Sequence, residues 1–280
     1  MENEPVASIV IPTFNRSGLV SKAIDSALSQ TINCEVIVCD HGSTDNTPEV
    51  ARRYGDRIKY IRRECDSGPF YMWLDGILHA TTQYVHLTYD DDWIEDTFME
   101  RCLSIIDDDV GLVYTAVEMH MQDGESIVVQ KGRFKEGKNK SRLLERKMLD
   151  SSLTISPGCG LFRKKDMIQA ILYGWGTSEK EIYRGAGADA LIYLFPLCKY
   201  PYFGFADEIL AHYRMQQGSI TVDAGEKGEV KELQKAYKDS KEAYVFYRYM
   251  RFSVLRKLLL LFRRIRLVFS IYILRPFGQK

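Results

Sequence analysis

The chain has 280 residues, of which 45% are hydrophobic and 27% charged, with 38 basic and 38 acidic side chains. This composition is typical of a globular protein with a sizeable core, so it excludes a disordered or collagen-like chain. Six cysteines without a Cys-x-x-Cys pair, and five histidines without zinc-ligand spacing, indicate reduced thiols in a cytoplasmic protein and no structural zinc. The N-terminus has no basic flank before a long apolar stretch, so no signal peptide is expected.

Apolar runs and helix-length segments alternate through the N-terminal half. The predicted strands are residues 6–11, 34–39, 57–61 and 83–89, and the predicted helices are 18–30, 47–54, 70–80 and 93–106. Strands separated by helices imply an α/β fold with a mostly parallel sheet, whose ligands bind at the carboxyl ends of the strands. Those ends carry residues 13–16, 40–45 and 90–92, so polar and acidic groups gather where a nucleotide would bind.

The loop after the first predicted strand separates classes of nucleotide-binding protein. A dinucleotide fold needs Gly-x-Gly-x-x-Gly there, whereas residues 12–18 contain one glycine. No Gly-x-x-x-x-Gly-Lys-Ser/Thr sequence occurs in the chain. These absences exclude an NAD enzyme and a P-loop ATPase.

Three consecutive aspartates, Asp90, Asp91 and Asp92, follow the fourth predicted strand. Carboxylates this close repel one another, and a divalent cation such as Mg²⁺ or Mn²⁺ removes that repulsion while bridging to phosphate oxygens. The alternative is a solvated loop whose last aspartate caps the helix predicted at residues 93–106.

Four sequence motifs occur in a fixed order along the chain. They are Val-Ala-Ser-Ile-Val-Ile-Pro-Thr-Phe-Asn-Arg at 6–16, Val-Ile-Val-Cys-Asp-His-Gly-Ser-Thr-Asp-Asn-Thr at 36–47, Asp-Ser-Gly-Pro-Phe-Tyr at 66–71 and Leu-Thr-Tyr-Asp-Asp-Asp-Trp at 87–93. Together they resemble the signatures of family 2 glycosyltransferases, over about residues 5–220. The resemblance implies a GT-A fold: a single Rossmann-like α/β domain at residues 1–222 with a DXD-type metal motif.

The resemblance also implies roles on the donor side. Asp40 resembles the carboxylate that contacts the nucleotide base, and Thr13 and Asn15 resemble the loop that lines its pocket, although both could be turn formers. In the acidic triplet, Asp90 is expected at the ribose, with Asp91 also binding the nucleotide. The metal, Mn²⁺ or Mg²⁺, is assigned to Asp91 or Asp92. The segment 69–76 departs from relatives, which often carry Arg or Asn there.

Two further segments resemble the acceptor half of the family. Asp189 follows two glycines and precedes an apolar helix predicted at 190–198, where the family places its catalytic base; an N-cap is the alternative. Glu179 and Glu181 are the second choices. His212 and Arg214 are candidates for contact with the donor diphosphate, against the alternatives of a satisfied strand histidine and a surface ion pair.

The expected function is that of an inverting hexosyltransferase with a DXD motif. It would move a sugar from a nucleotide-diphosphate sugar, expected to be a UDP-sugar, to a hydroxyl of a glycan or lipid-linked acceptor in polysaccharide biosynthesis. No nucleic-acid partner is expected. The alternatives are a catalytically inactive nucleotide-sugar-binding protein and a nucleotidyltransferase, although the latter normally needs a Gly-rich basic loop that is absent here.

The C-terminal segment, residues 223–280, is predicted to be helical and differs in charge from the rest of the chain. Residues 244–280 carry nine basic and no acidic residues. Residues 1–243 therefore contain 29 basic and 38 acidic residues and have a net charge of −9. The apolar positions recur at helical spacing, which predicts a basic amphipathic helix on an anionic membrane surface. Spanning is disfavoured, because five central cations cost about 15 kcal/mol at roughly 3 each. The expected location is peripheral, on the inner face of the cell membrane; packing on the protein's own body or in a homo-oligomer is the alternative.

Overall fold

The computed structural model describes residues 4–66, 68–175, 187–215, 228–252, 258 and 261–262. The chain forms two compact units, Met1–Lys241 and Glu242–Lys280. The domain boundary predicted between residues 222 and 223 falls within 216–227, outside the described residues.

The first unit is built around one ten-stranded mixed sheet. Its strands are β1 (Ala7–Thr13), β2 (Cys34–His41), β3 (Lys59–Arg63), β4 (Tyr84–Leu87), β5 (Trp93–Ile94), β6 (Val110–His120), β7 (Ser126–Val129), β8 (Gly137–Lys140), β9 (Gly160–Arg163) and β10 (Tyr202–Arg214). The order is β3-β2-β1-β4-β9-β6-β10-β5, with β7 beside β6 and β8 beside β10. Strands β3, β2, β1 and β4 are mutually parallel, as are β6 and β10, while β9 runs antiparallel between these two groups.

Eight helices are described along the chain. They are α1 (Val20–Leu28), α2 (Thr47–Arg52), α3 (Pro69–His79), α4 (Phe98–Ile105), α5 (Ser141–Leu149), α6 (Lys164–Trp175), α7 (Ala188–Lys199) and α8 (Val230–Phe252). Every residue of β1 is buried, so both faces of the central sheet are covered. The α/β prediction is therefore confirmed, and most predicted elements lie within two residues of the observed bounds.

The helix predicted at residues 93–106 is wrong at its beginning. Trp93 and Ile94 form β5, which pairs antiparallel with β10, and α4 begins only at Phe98. The pairing continues beyond β5, because the Glu95 N–H donates to the Leu210 carbonyl at 2.9 Å. Hydrogen bonds to a strand more than one hundred residues away therefore replace the first helical turn, and the alternative of a helix capped by Asp92 is wrong too.

Close packing of α3 on the sheet leads to a stability prediction at Gly76. A Cβ there would lie 2.3 Å from Val10 Cγ1 and 3.0 Å from Cys39 Sγ, so Gly76→Ala must push α3 off β1 and β2. We expect a loss of about 1–3 kcal/mol in the free energy of unfolding, measured by urea titration. Gly18→Ala is the matched control, because no atom lies within 4 Å of its Cβ position. Equal stability of the two variants would contradict this account.

The second unit is described for residues 242–252, 258 and 261–262. Helix α8 continues into it as far as Phe252. Within the described residues, no helix combines the length and apolarity needed to cross a bilayer. Most of the predicted amphipathic stripe, in 253–280, lies outside the described residues.

Candidate active site

The predicted base-binding side chain, Asp40, lies in a row formed by the carboxyl ends of three adjacent strands. Thr13 on β1 pairs with Asp40 on β2, which pairs with Arg62 on β3. The Asp40 carboxylate is fully buried and accepts hydrogen bonds from the Ser43 N–H at 2.9 Å and the Tyr60 hydroxyl at 2.6 Å. The Arg62 Nε lies 3.6 Å away. These partners hold the carboxylate in a fixed orientation at the sheet edge.

Asn15 joins the loops that follow β1 and β2. Its φ of +54° is in the left-handed region, which asparagine tolerates better than most residues. Its N–H donates to Ser43 Oγ at 2.8 Å, and its side-chain oxygen accepts the Thr44 N–H at 2.8 Å. Thr13 and Asn15 therefore lie next to Asp40, and Asn15 is also a turn residue with a structural role.

The acidic triplet lies at the end of β4, beside β1, and its carboxyls are poorly solvated. Burial and repulsion from Asp91 raise the pKa of Asp90 to about 7, although the Arg16 guanidinium lies 3.8 Å away. Burial also raises the pKa of Asp91, and burial with repulsion from Asp91 raises the pKa of Asp92 well above its usual range. The ionised form of such carboxyls is destabilised, so protonation or a nearby cation stabilises the triplet.

The raised pKa of Asp90 predicts a pH-dependent stability in the metal-free protein. Between pH about 4 and about 7 the folded state holds a proton on Asp90 that the unfolded chain has lost. The free energy of unfolding therefore falls as the pH rises over this range and levels off above pH 7. Asp90→Asn should therefore gain stability relative to the unsubstituted protein between pH 5 and pH 8, by about 1–3 kcal/mol. Urea unfolding with EDTA at both pH values measures this difference. A difference that does not change with pH would contradict the prediction.

The last described part of β10 adjoins the triplet. The Arg214 N–H donates to Asp92 Oδ1 at 2.9 Å, and the Arg214 guanidinium lies 5.8 Å from the centre of the Trp93 ring. The structure thus brings Arg214 beside the acids. The side chain of His212 has different neighbours. Its ring stacks on Trp93, its Nε2 lies 2.7 Å from Glu95 Oε1, and its Nδ1 lies 3.5 Å from Glu118 Oε2 on β6.

Asp189 lies in the first turn of α7 and is buried. Its Oδ1 accepts the N–H groups of Gly187 at 3.0 Å and Ala190 at 2.7 Å. Gly187 is the N-cap of α7 and Asp189 is the second residue of the helix, so the alternative that Asp189 is the N-cap is wrong. Its Oδ2 accepts the hydroxyl of Tyr237 on α8 at 2.6 Å. Burial raises the pKa of Asp189 despite these donors, so the carboxyl is more basic than an exposed aspartate.

Tyr89 is affected by the charges of both Asp189 and the acidic triplet. Burial raises the pKa of the Tyr89 hydroxyl well above its usual range, and the nearby charges of Asp189, Asp92 and Asp91 raise it further. One hydroxyl therefore lies within electrostatic reach of both acidic groups. The alternative bases Glu179 and Glu181 lie outside the described residues.

Sequence reasoning missed three residues of this site. They are Tyr60, Arg62 and Tyr237. Tyr60 and Arg62 lie two residues apart on β3, so the prediction of a strand next to the one that carries Asp40 was the available signal. No local pattern in the sequence pointed to Tyr237. Gly187 shows how closely α8 approaches Asp189: its φ is +89°, and a Cβ there would lie 2.3 Å from Ser240 Oγ.

Sequence comparisons give relatives over the N-terminal part of the chain. The family model described as Glycosyl transferase family 2 matches residues 8–170. An uncharacterized glycosyltransferase of Rickettsia typhi is 35% identical over 130 residues, which cover 44% of this chain and 40% of that protein. The chondroitin synthase of Pasteurella multocida is 33% identical over 128 residues, covering 44% of this chain and 13% of that protein. The matched region is thus less than half of either relative.

Structural comparisons extend over nearly the whole chain. S. aureus TarS 1-349, in complex with UDP-GlcNAc, has a TM-score of 0.61 at 18% identity, covering 96% of this chain and 76% of that one. The mannosyltransferase PcManGT from Pyrobaculum calidifontis, in complex with GDP-Man and Mn²⁺, has a TM-score of 0.54 at 14% identity, covering 95% and 81%. At these identities the similarity bears on the fold alone.

Proposed function

The chain belongs to glycosyltransferase family 2 and has the GT-A fold, and on this premise we propose that it is an inverting glycosyltransferase. The donor is a nucleotide-diphosphate sugar, in our proposal a UDP-sugar, and the acceptor is a hydroxyl of a glycan or lipid-linked sugar. The observation that supports the proposal is that the charges of Asp189, Asp92 and Asp91 all act on one hydroxyl, that of Tyr89, and raise its pKa. In this proposal the triplet serves the donor and Asp189 serves the acceptor, and both lie close to Tyr89.

Donor binding is assigned to the row of residues at the sheet edge. The Asp40 carboxylate can accept an N–H of the base. The hydrogen bonds that it accepts from the Ser43 N–H and the Tyr60 hydroxyl fix its orientation for that contact. Uracil and guanine both present such an N–H, so Asp40 alone does not select between them. The TarS neighbour is in complex with UDP-GlcNAc, and our proposal takes UDP as the nucleotide on that analogy.

The residues present fit a divalent cation at the triplet. Asp90, Asp91 and Asp92 offer only carboxylate oxygens, which Mg²⁺ and Mn²⁺ prefer. Burial raises the pKa of all three carboxyls, and a bound cation would stabilise their ionised form. We assign the metal to Asp91 or Asp92 and the ribose to Asp90. When bound, the metal supplies charge that offsets the negative charge on the leaving nucleoside diphosphate.

The chain's own groups account for the proton and the geometry. Asp189 Oδ1 is fixed by two backbone donors, which leaves Oδ2 as the proton acceptor for the attacking hydroxyl. In the described structure the Tyr237 hydroxyl holds Oδ2, and an acceptor hydroxyl would take over that bond. Arg214 lies beside Asp92, where its guanidinium can bind the diphosphate. One displacement with the base opposite the leaving group inverts the configuration.

Two experiments test this proposal. A panel of nucleotide sugars, with and without Mn²⁺, should show thermal stabilisation by one donor class only when the metal is present. Release of UDP from that donor then separates an enzyme from the alternative of an inactive sugar-nucleotide-binding protein. Release of pyrophosphate from a nucleoside triphosphate and a sugar phosphate would instead support the nucleotidyltransferase alternative.

We also propose peripheral attachment to the cytoplasmic face of an anionic membrane through residues 244–280. The support is the charge asymmetry: nine basic residues in this segment follow a body with a net charge of −9. Flotation of the whole protein with vesicles containing anionic lipid should occur at low salt and weaken at high salt. Absence of flotation, or a dimer in solution that accounts for the segment, would contradict the proposal.

A further inference from the structure

A second group of polar side chains lies across β6 and β10, outside the residues assigned to donor and acceptor. Glu118 and His120 are two apart on β6, so they point to the same face, and the backbone of His212 on β10 pairs with Glu118. Three ligand atoms, Glu118 Oε2, His120 Nε2 and His212 Nδ1, all lie within 4.8 Å of one another.

From these residues we propose that Glu118, His120 and His212 form a binding site for a borderline transition-metal ion such as Zn²⁺, separate from the metal of the acidic triplet. Imidazole nitrogens favour Zn²⁺ and its neighbours over Mg²⁺. The inference stands on this cluster alone and does not depend on the proposed function. It assigns His212 a role other than contact with the diphosphate.

The distances between the ligand atoms agree with tetrahedral coordination. The two imidazole nitrogens are 3.1 Å apart, and Glu118 Oε2 lies 3.5 Å from His212 Nδ1 and 3.7 Å from His120 Nε2. Zinc–ligand bonds of about 2.0–2.2 Å at tetrahedral angles place ligand atoms roughly 3.4 Å apart. The three side chains thus need only small movements to bind one ion, and a fourth position remains for water.

The surrounding residues orient each ligand in the way that metal sites require. Glu95 Oε1 lies 2.7 Å from His212 Nε2, so a proton on Nε2 leaves the Nδ1 lone pair directed at the cluster. The Ser126 hydroxyl donates to Glu118 Oε1 at 2.6 Å and directs Oε2 inward. Trp93 stacks on His212 at 5.1 Å and lies 4.7 Å from the His120 ring.

Charged side chains of both signs lie near the cluster. Lys22 and Arg214 lie over the Trp93 ring, whereas the carboxylates of Glu95 and Glu118 lie 2.7 Å and 3.5 Å from the nitrogens of His212. A bound ion would fasten β6 to β10 beside Trp93, next to the triplet.

The test titrates the whole, EDTA-stripped protein with Zn²⁺ by calorimetry and with Co²⁺ by visible absorption. We expect one saturable site, tetrahedral Co²⁺ bands and a rise in Tm with Zn²⁺. His120→Ala and Glu118→Gln should weaken binding by at least about 100-fold, and Glu95→Gln by about 10-fold. The side chains of His120 and Glu118 are partly exposed, so both variants should fold.

Three control variants separate this site from other metal ligands. Asp91→Asn should leave Zn²⁺ binding unchanged, which distinguishes the cluster from the triplet. Cys65→Ser and His79→Ala should also leave it unchanged, since an exposed thiol and a surface imidazole are the common adventitious ligands. Absence of saturable binding, equal affinity in His120→Ala, or loss of binding in Cys65→Ser would overturn the inference.

Discussion

Asp189→Asn is expected to lower kcat by about 10²–10⁴-fold while leaving the affinity for the donor unchanged. Asparagine keeps the side-chain oxygen that accepts the Gly187 and Ala190 N–H groups, so the start of α7 should stay intact. It removes the basic oxygen that Tyr237 now holds. Initial rates over a range of acceptor concentrations, together with calorimetry of UDP binding with Mn²⁺, measure the two effects.

Tyr237→Phe is the matched control for that experiment. Loss of its hydrogen bond removes a contact that lowers the pKa of Asp189, so the acidic limb of the kcat/KM profile should move to higher pH while turnover persists above it. Turnover near the original rate in Asp189→Asn would instead exclude Asp189 as the base and direct attention to Glu179 and Glu181.

Replacement of the triplet acids should act on the donor rather than on the acceptor. In Asp91→Asn and Asp92→Asn we expect the Mn²⁺-dependent affinity for UDP to fall about 10- to 100-fold, corresponding to roughly 1.5–3 kcal/mol for a lost charged contact. The Oδ1 of an asparagine at 92 can still accept the Arg214 N–H, so the end of β10 should be preserved. Calorimetry of UDP with Mn²⁺ and with EDTA measures the effect.

Asp123→Asn is a suitable control for the charge change alone, because Asp123 lies in an exposed turn where it accepts the Glu125 N–H. The metal-free proteins provide a second check. Removing one charge from the triplet should raise their stability, since burial and mutual repulsion now disfavour the ionised carboxyls. Unchanged Mn²⁺-dependent affinity in both triplet variants would exclude the metal role of Asp91 and Asp92.

Local patterns predicted the strands of the N-terminal half well. The apolar runs of β1 and β2 are buried on both faces, so their sequence reports the strand directly, and their polar ends lie side by side because the strands are parallel neighbours. The acidic triplet was also visible in the sequence, because its three aspartates are consecutive and follow directly after an apolar strand.

Long-range contacts account for what sequence reasoning missed. Trp93 has the pattern of a helix start, and only its pairing with β10 makes it a strand residue. His120 and His212 are 92 residues apart, so a search for local ligand spacing could not join them. Glu118 and His120 were the only available signal, as two ligand-type residues on one face of a strand.

Tyr237 has a consequence for how such chains are divided into parts. It lies on α8, beyond the boundary predicted between residues 222 and 223, yet its hydroxyl donates to the carboxylate of Asp189, and both residues belong to the first unit. The C-terminal segment is therefore not a detachable anchor. Exchanging residues 223–280 between relatives would also exchange the hydroxyl that binds Asp189, so such a chimera changes the surroundings of this buried carboxylate as well as the tail.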